Sequence, residues 1–195
     1  MRLNNKYYLL RHGEAESNVK NIVSSWPEKF HNPLTEGGIA KIKKVAQELK
    51  NKKIGLIFSS PLLRTKQTAE IVGKLLKINP KTDKRLRELE FGTFNGQSAK
   101  EFMKYFKNKE ERLKRKTPKG ENYVDMLKRV WDFFREINKK YRGKNILIVS
   151  HQAPLLLLLG KINYRPIMQS MDGVINATGE KKIVTGQLIE INQVK

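Results

Sequence analysis

Four short stretches set reactive side chains beside apolar runs. Residues 7–18 read YYLLRHGEAESN, an apolar run that ends in Arg11, His12 and Gly13. LIF at 56–58 empties into Ser59-Ser60-Pro61, with Arg64 close behind, and ILIV at 146–149 ends in Ser150 and His151. LRELEFGTFNG at 86–96 adds two carboxylates, Glu88 and Glu90, ahead of glycines. Two imidazoles and two guanidiniums suit a metal ion poorly, because arginine keeps its charge and repels a cation. They suit a phosphoryl group well. Arginine matches phosphate oxygens bidentately, and neutral imidazole is a competent nucleophile toward phosphorus. Phosphoryl transfer asks mainly for positioning and charge stabilisation, so a cationic pocket supplies most of what it needs without a metal. A proton donor for the leaving oxygen would complete the set. Glu88 and Glu90 compete for that role, since in a strand both would face one side. Among so many cations, only burial or hydrogen bonding would keep such a carboxyl protonated.

The elements that must position these groups follow from periodicity. The three apolar runs have the size and flanks of buried strands. Ile42, Val45, Ala46 and Leu49 form one stripe of a helix beginning near Thr35. Ser60 has the type of an N-cap with Pro61 at the first helical position, opening a helix striped by Thr68, Val72, Leu75 and Leu76. Ser98 and Glu101 have capping-box spacing ahead of Phe102 and Phe106. Leu127, Val130, Trp131, Phe134 and Ile137 stripe a long helix that Gly143 would stop. Alternating strands and helices predict an α/β domain with a mostly parallel sheet. In such sheets ligands bind at the carboxyl ends of the strands, so Arg11, His12, Arg64 and His151 would share one rim.

The chain has 195 residues, enough for one domain with its own core. It has no cysteine, so disulfides and thiolate metal sites are excluded and a reducing, cytoplasmic location is expected. Lys6 and the short apolar stretch after it do not fit a secretory signal, and LLLLL at 155–159 is far too short to span a bilayer, so no membrane association is expected. The net charge is +21, which suggests an anionic partner or a lysine-rich solvated surface. Segment 98–119 carries nine lysines and arginines against three glutamates. It reads as an amphipathic helical excursion, either a solvated face or a cap over an anionic site. As a cap it predicts that Lys114, Arg115 and Lys116 favour substrates with a second anionic group. No base-stacking aromatic platform is evident, so no nucleic-acid partner is expected. His31 reads as an exposed loop residue and Trp26 as core or rim packing.

LLRHGEAESN resembles the signature of the histidine phosphatase superfamily, in its phosphoglycerate mutase-like branch. The resemblance extends in order through SSW at 24–26, PLTEGG at 33–38, SSPLLRTKQTAEIV at 59–72, LRELEFGTFNG at 86–96, GENYVDMLKRV at 120–130 and VSHQAP at 149–154. It implies a three-layer α/β/α sandwich in one domain over 1–195, with a small helical cap at about 97–119. It implies a phosphatase with no cofactor, acting on a small phosphorylated metabolite. His12 would become phosphohistidine, Arg11, Arg64 and His151 would surround the transferring oxygens, and Glu88 would be the acid. Asn18 and Ser24 would bind phosphate or substrate. Gln152 stands where the family commonly has glycine, and would add a polar group near the phosphate. The excursion is shorter than the corresponding insert of the phosphoglycerate mutases, which favours hydrolysis over mutase transfer, because water reaches the phosphohistidine more easily under a smaller cap.

Overall fold

The computed structural model describes residues 2–172 and 183–191. Along the chain the elements are β1 (Lys6–Arg11), α1 (Glu16–Val19), α2 (Glu36–Leu49), β2 (Leu56–Ser59), α3 (Leu63–Leu76), β3 (Lys81–Thr82), α4 (Ala99–Lys104), α5 (Lys109–Lys114), α6 (Tyr123–Lys140), β4 (Asn145–Ser150), α7 (Gln152–Ile162), α8 (Ile167–Met171) and β5 (Leu188–Ile191). They build a five-stranded sheet in the order β3-β2-β4-β1-β5. Neighbours are parallel except for β5, which runs antiparallel to β1 at the edge. The expected α/β class with a mostly parallel sheet is therefore observed. β3 and β5 were not legible as strands: β3 has two exposed residues, and β5 alternates too briefly to stand out.

Parallel strands covered on both faces read as continuous apolar runs, and the packing shows why these do. Successive side chains of β1 go to opposite faces. Tyr7 and Leu9 join Phe58, Ile146 and Ile148 in one core, closed by Met126, Val130, Phe133, Phe134 and Ile137 of α6 and by α7. Tyr8 and Leu10 join Ile57, Leu147 and Val149 in the other, closed by Ile42, Val45, Ala46 and Leu49 of α2 and by Ala69 and Val72 of α3. This is the three-layer arrangement. Each fully buried Leu or Ile contributes about 1.5–3 kcal/mol of transfer free energy to hold it.

At four places the local structure differs from what the sequence pattern predicts. α3 begins at Leu63 with Leu62 at its N-cap, not at Ser60-Pro61. Ser60 is drawn instead into a bond with His151. The buried face of α6 is centred on Met126, Val130, Phe133, Phe134 and Ile137, while Leu127 and Trp131 are half-buried at its flank. That helix ends at Lys140, with Tyr141 rather than a glycine at the cap; Gly143 lies in the turn beyond, at φ +64°. Ser98 does cap α4 by accepting from the Glu101 N–H, but the Glu101 carboxylate turns to Lys104 rather than back to the cap.

Register delivers the strand ends to one place. Arg11 pairs with Ser150 across β1 and β4, so the next residues, His12 and His151, emerge side by side. The His12 N–H donates to the Ser150 carbonyl at 3.0 Å, and the Ser60 N–H to the Val149 carbonyl at 3.1 Å. Gly13 then lets α2 close on the strand end: a Cβ there would stand 2.8 Å from Ile42 Cγ1 and 3.0 Å from the Gly38 carbonyl.

Candidate active site at the strand ends

The rim is an assembly of buried polar groups. Arg11, His12, Arg64 and His151 are 4%, 2%, 3% and 0% exposed, respectively. His12 Nδ1 lies 2.7 Å from the Gly13 carbonyl, an oxygen that only accepts, so this nitrogen carries the proton and Nε2 keeps its lone pair. Arg64 Nε donates to that Nε2 at 3.2 Å. Arg64 Nη2 donates to the Ser24 carbonyl at 2.9 Å and to His151 Nδ1 at 3.0 Å, and Nη1 to Ser24 Oγ at 3.3 Å. Because His151 accepts at Nδ1, its Nε2–H donates to Ser60 Oγ at 2.9 Å. One guanidinium thus fixes the orientation of both rings, which sit edge to face at 5.2 Å.

Electrostatics follow from burial. Loss of hydration brings Arg11 and Arg64 down to about 10, still cationic at neutral pH. Burial, reinforced by Arg64 and His12, holds His151 well below the usual imidazole value, so it is neutral. Glu88 moves the other way. Its burial raises the carboxyl pKa against the opposing pull of the Leu89 N–H, which donates to Oε1 at 2.9 Å, and of Arg64, Arg11 and Arg129. Desolvation wins over charge, as a carboxylic acid beside cations requires.

A cavity of about 370 Å³ opens here, and Arg11, His12, Arg64, Glu88, Asn18, Ser24 and Gln152 line it. Of the two candidate acids, Glu88 is therefore the one in the cavity; the Glu90 carboxylate is paired with Arg87 at 2.6 Å. Asn18 uses Oδ1 to accept from the Ala15 N–H at 3.0 Å, which leaves Nδ2 as its donor end. Gln152 is the first residue of α7 and is buried. His151 stands apart from the other expected groups: it is behind Arg64 and not on the cavity wall. Arg64 has no ion pair with Glu70; its nearest carboxylate is Glu28, at 3.8 Å. Trp26 is 47% exposed beneath the Arg87 guanidinium and outside the core, and His31 is exposed as expected.

Segment 98–119 folds as α4 and α5, and its charge is arranged differently from a cationic cap. Lys114 pairs with Glu110, Arg115 with Glu111 and Lys116 with Asp125, all at the exposed surface and away from the cavity wall. Lys100 is the one basic residue of this segment on that wall. The expected role of Lys114, Arg115 and Lys116 over the site does not hold, because each finds a carboxylate within one helical turn or on α6.

Three supporting groups escaped the sequence reading. Glu28 accepts from the Leu63 N–H at 2.9 Å, closing the start of α3 beneath Arg64. Ser60 orients His151 as described. Arg129 on α6 donates to the carbonyls of Arg85, Arg87 and Glu88 at 2.7, 2.8 and 2.9 Å while paired with Glu121, clamping the segment that carries Glu88. Glu121 and Arg129 fall in the GENYVDMLKRV stretch, but nothing in a helical pattern says that an arginine will bind loop carbonyls some forty residues earlier. Among the described residues no cluster of three or more His, Asp or Glu is placed to hold a metal ion, and no helix is long and apolar enough to cross a membrane.

Known proteins share the sequence pattern and the fold of this chain. The model of the histidine phosphatase superfamily (branch 1) matches residues 7–183. A probable phosphoglycerate mutase of Proteus mirabilis is 32% identical over 165 residues, covering 80% of this chain and 73% of that one. Phosphoserine phosphatase 1 of Hydrogenobacter thermophilus is 29% identical over 155 residues, covering 77% and 72%. Among solved structures, Bacillus stearothermophilus YhfR superposes with a TM-score of 0.82 at 24% identity over 96% of this chain and 91% of its own. The alpha-ribazole phosphatase of Shigella flexneri gives 0.79 at 25% identity over 96% and 91%. A family model spanning nearly the whole chain, on a fold these structures share, leaves one conclusion: the chain belongs to the histidine phosphatase superfamily, branch 1, and is an enzyme of its phosphatase and mutase class.

Proposed function

We propose that the protein is a phosphomonoesterase for small phosphorylated metabolites, working through phosphohistidine at His12. The observation that carries this reading is the His12 Nδ1–H bond to the Gly13 carbonyl, which leaves the Nε2 lone pair under the Arg64 guanidinium at the cavity wall. In the first step that lone pair attacks phosphorus, an N–P bond forms and the bond to the ester oxygen breaks. Glu88, whose carboxyl pKa is raised by burial, gives a proton to the leaving oxygen. Arg64 Nε exchanges its bond to Nε2 for a phosphoryl oxygen as the new bond forms. Arg11 and the Asn18 amide offer further donors, and Gln152 adds one from the start of α7. In the second step the Glu88 carboxylate takes a proton from water, the oxygen of that water attacks phosphorus, and the N–P bond breaks to release inorganic phosphate. Ser24 and neutral His151 act through Arg64, holding its fork in place.

The test is to incubate the protein with a phosphoester, quench in alkali and map the label. Acid-labile phosphate on His12, with release of free phosphate, supports the reading; label on another residue overturns it. The mutase-named relative in Proteus mirabilis gives a second reading. Production of 2-phosphoglycerate from 3-phosphoglycerate without free phosphate would establish that alternative instead.

A further inference from the structure

Beyond the phosphoryl-binding groups, the cavity wall is mostly apolar, with Ser17, Asn21, Lys100 and the Tyr123 hydroxyl as its polar members. Val23, Leu89, Phe91, Phe102, Met103 and Tyr123 make up much of it. This wall is built rather than incidental. Phe102 is 2% exposed and packs edge-on against Phe91 with ring centres 4.9 Å apart and against Phe106 at 5.3 Å, so the cap is pinned to the core by aromatic contacts. Cations are kept off it. Arg112 is buried, yet its Nη1 donates to Met103 Sδ at 3.3 Å and its guanidinium lies 6.0 Å from the Tyr123 ring, behind two wall residues and outside the lining. Lys100, an exposed side chain, is the one cation facing this part of the cavity.

We propose that the substrate is a phosphate monoester of an apolar alcohol, an aryl-alkyl or alkyl group with no second anion; this rests on the hydrolase reading above. An apolar leaving group gains by shedding its hydration against this wall. A carboxylate or second phosphate would be stripped of water there, where exposed Lys100 is the one cation lining the cavity beyond the phosphoryl-binding groups. The specificity is therefore set by the cap and its approach to Val23 and Leu89, while the strand ends treat all monoesters alike.

The experiment compares kcat/KM of the full chain for 2-phenylethyl phosphate and hexyl phosphate with that for O-phosphoserine and 3-phosphoglycerate, all esters of aliphatic alcohols. The expected result is a preference for 2-phenylethyl phosphate of at least about ten-fold, the scale on which hydrophobic pockets discriminate. Val23→Thr and Met103→Gln, near-isosteric changes that bring polar atoms to the wall, should each shrink that ratio several-fold. A preference for O-phosphoserine or 3-phosphoglycerate, or a ratio that neither variant moves, overturns the proposal and leaves the hydrolase reading standing. No turnover of any ester by the folded protein overturns both.

Discussion

The rim at the ends of β1, β2 and β4 and the basic segment 98–119 are both rich in cations, yet they hold their charge in opposite ways. At the rim, two arginines are almost wholly buried and Arg64 is committed to His12, Ser24 and His151 through three of its nitrogens. In segment 98–119 most cations are exposed, and Lys104, Lys114 and Arg115 pair with glutamates one turn away. Burial weakens competing water and makes each guanidinium a directed tool; exposure leaves each lysine screened. Charge density along a sequence is therefore a poor guide to where charge does chemistry. Two buried arginines matter here more than a segment of nine mostly exposed cations.

Substitutions can break that contrast. His12→Ala should remove turnover by on the order of 10⁴-fold or more and abolish the phosphoenzyme, read by steady-state kinetics and labelling. Glu88→Gln should cost on the order of 10²–10⁴-fold in kcat for poor leaving groups and much less for p-nitrophenyl phosphate, whose alcohol needs no proton. The same change tests linkage. A carboxyl whose folded pKa lies above the usual 4.5 stabilises the fold fully below that value, and this contribution is lost as pH rises through the raised one. Chemical denaturation at several pH values should therefore show Glu88→Gln flattening that decline.

Ser60→Ala leaves the His151 Nε2–H without its acceptor, at a cost of about 1–3 kcal/mol, and should lower both the melting temperature and kcat as Arg64 loosens. His151 gives a second slope, of the opposite sense. Its folded pKa is depressed, so as pH falls below about 6.5 the unfolded chain takes up a proton that the folded chain refuses, and stability drops. A melting temperature that did not fall between about pH 7 and pH 5 would contradict that buried neutral ring. The smallest effect is expected at Lys114, Arg115 and Lys116: replacing all three by alanine should leave kcat/KM within about two-fold for mono- and bisphosphates alike, since exposed ion pairs contribute little. A selective loss with bisphosphates would return these residues to the site.

The site was more legible than its support. Arg11, His12, Arg64 and His151 each follow or flank an apolar run, and a chemical argument about phosphate gathers those four without coordinates, whereas only the family resemblance favoured Glu88 over Glu90. Ser60 was misread as a helix cap because its type and the following proline fit that role locally, whereas its bond to His151 depends on a strand that begins more than eighty residues later. Glu28 and Arg129 gave no local signal, for the same reason. The stripe on α6 was displaced by a partial turn, since Phe133 and Met126 are buried by what α6 packs against, not by spacing alone.

The sequence by itself settled the chemistry available: which side chains end the strands, how the runs alternate with helices, and that thiolates are absent. Only the tertiary structure decided which of these groups work together. Pairing of β1 with β4 in one register set the two histidines side by side, burial raised the carboxyl pKa of Glu88 and kept His151 neutral, and the cap set an aromatic wall against the cavity while Lys114, Arg115 and Lys116 found carboxylates at the surface. Periodicity and residue type act over a few positions, but desolvation and convergence are properties of neighbours far apart in the chain, and they exist only once it has folded.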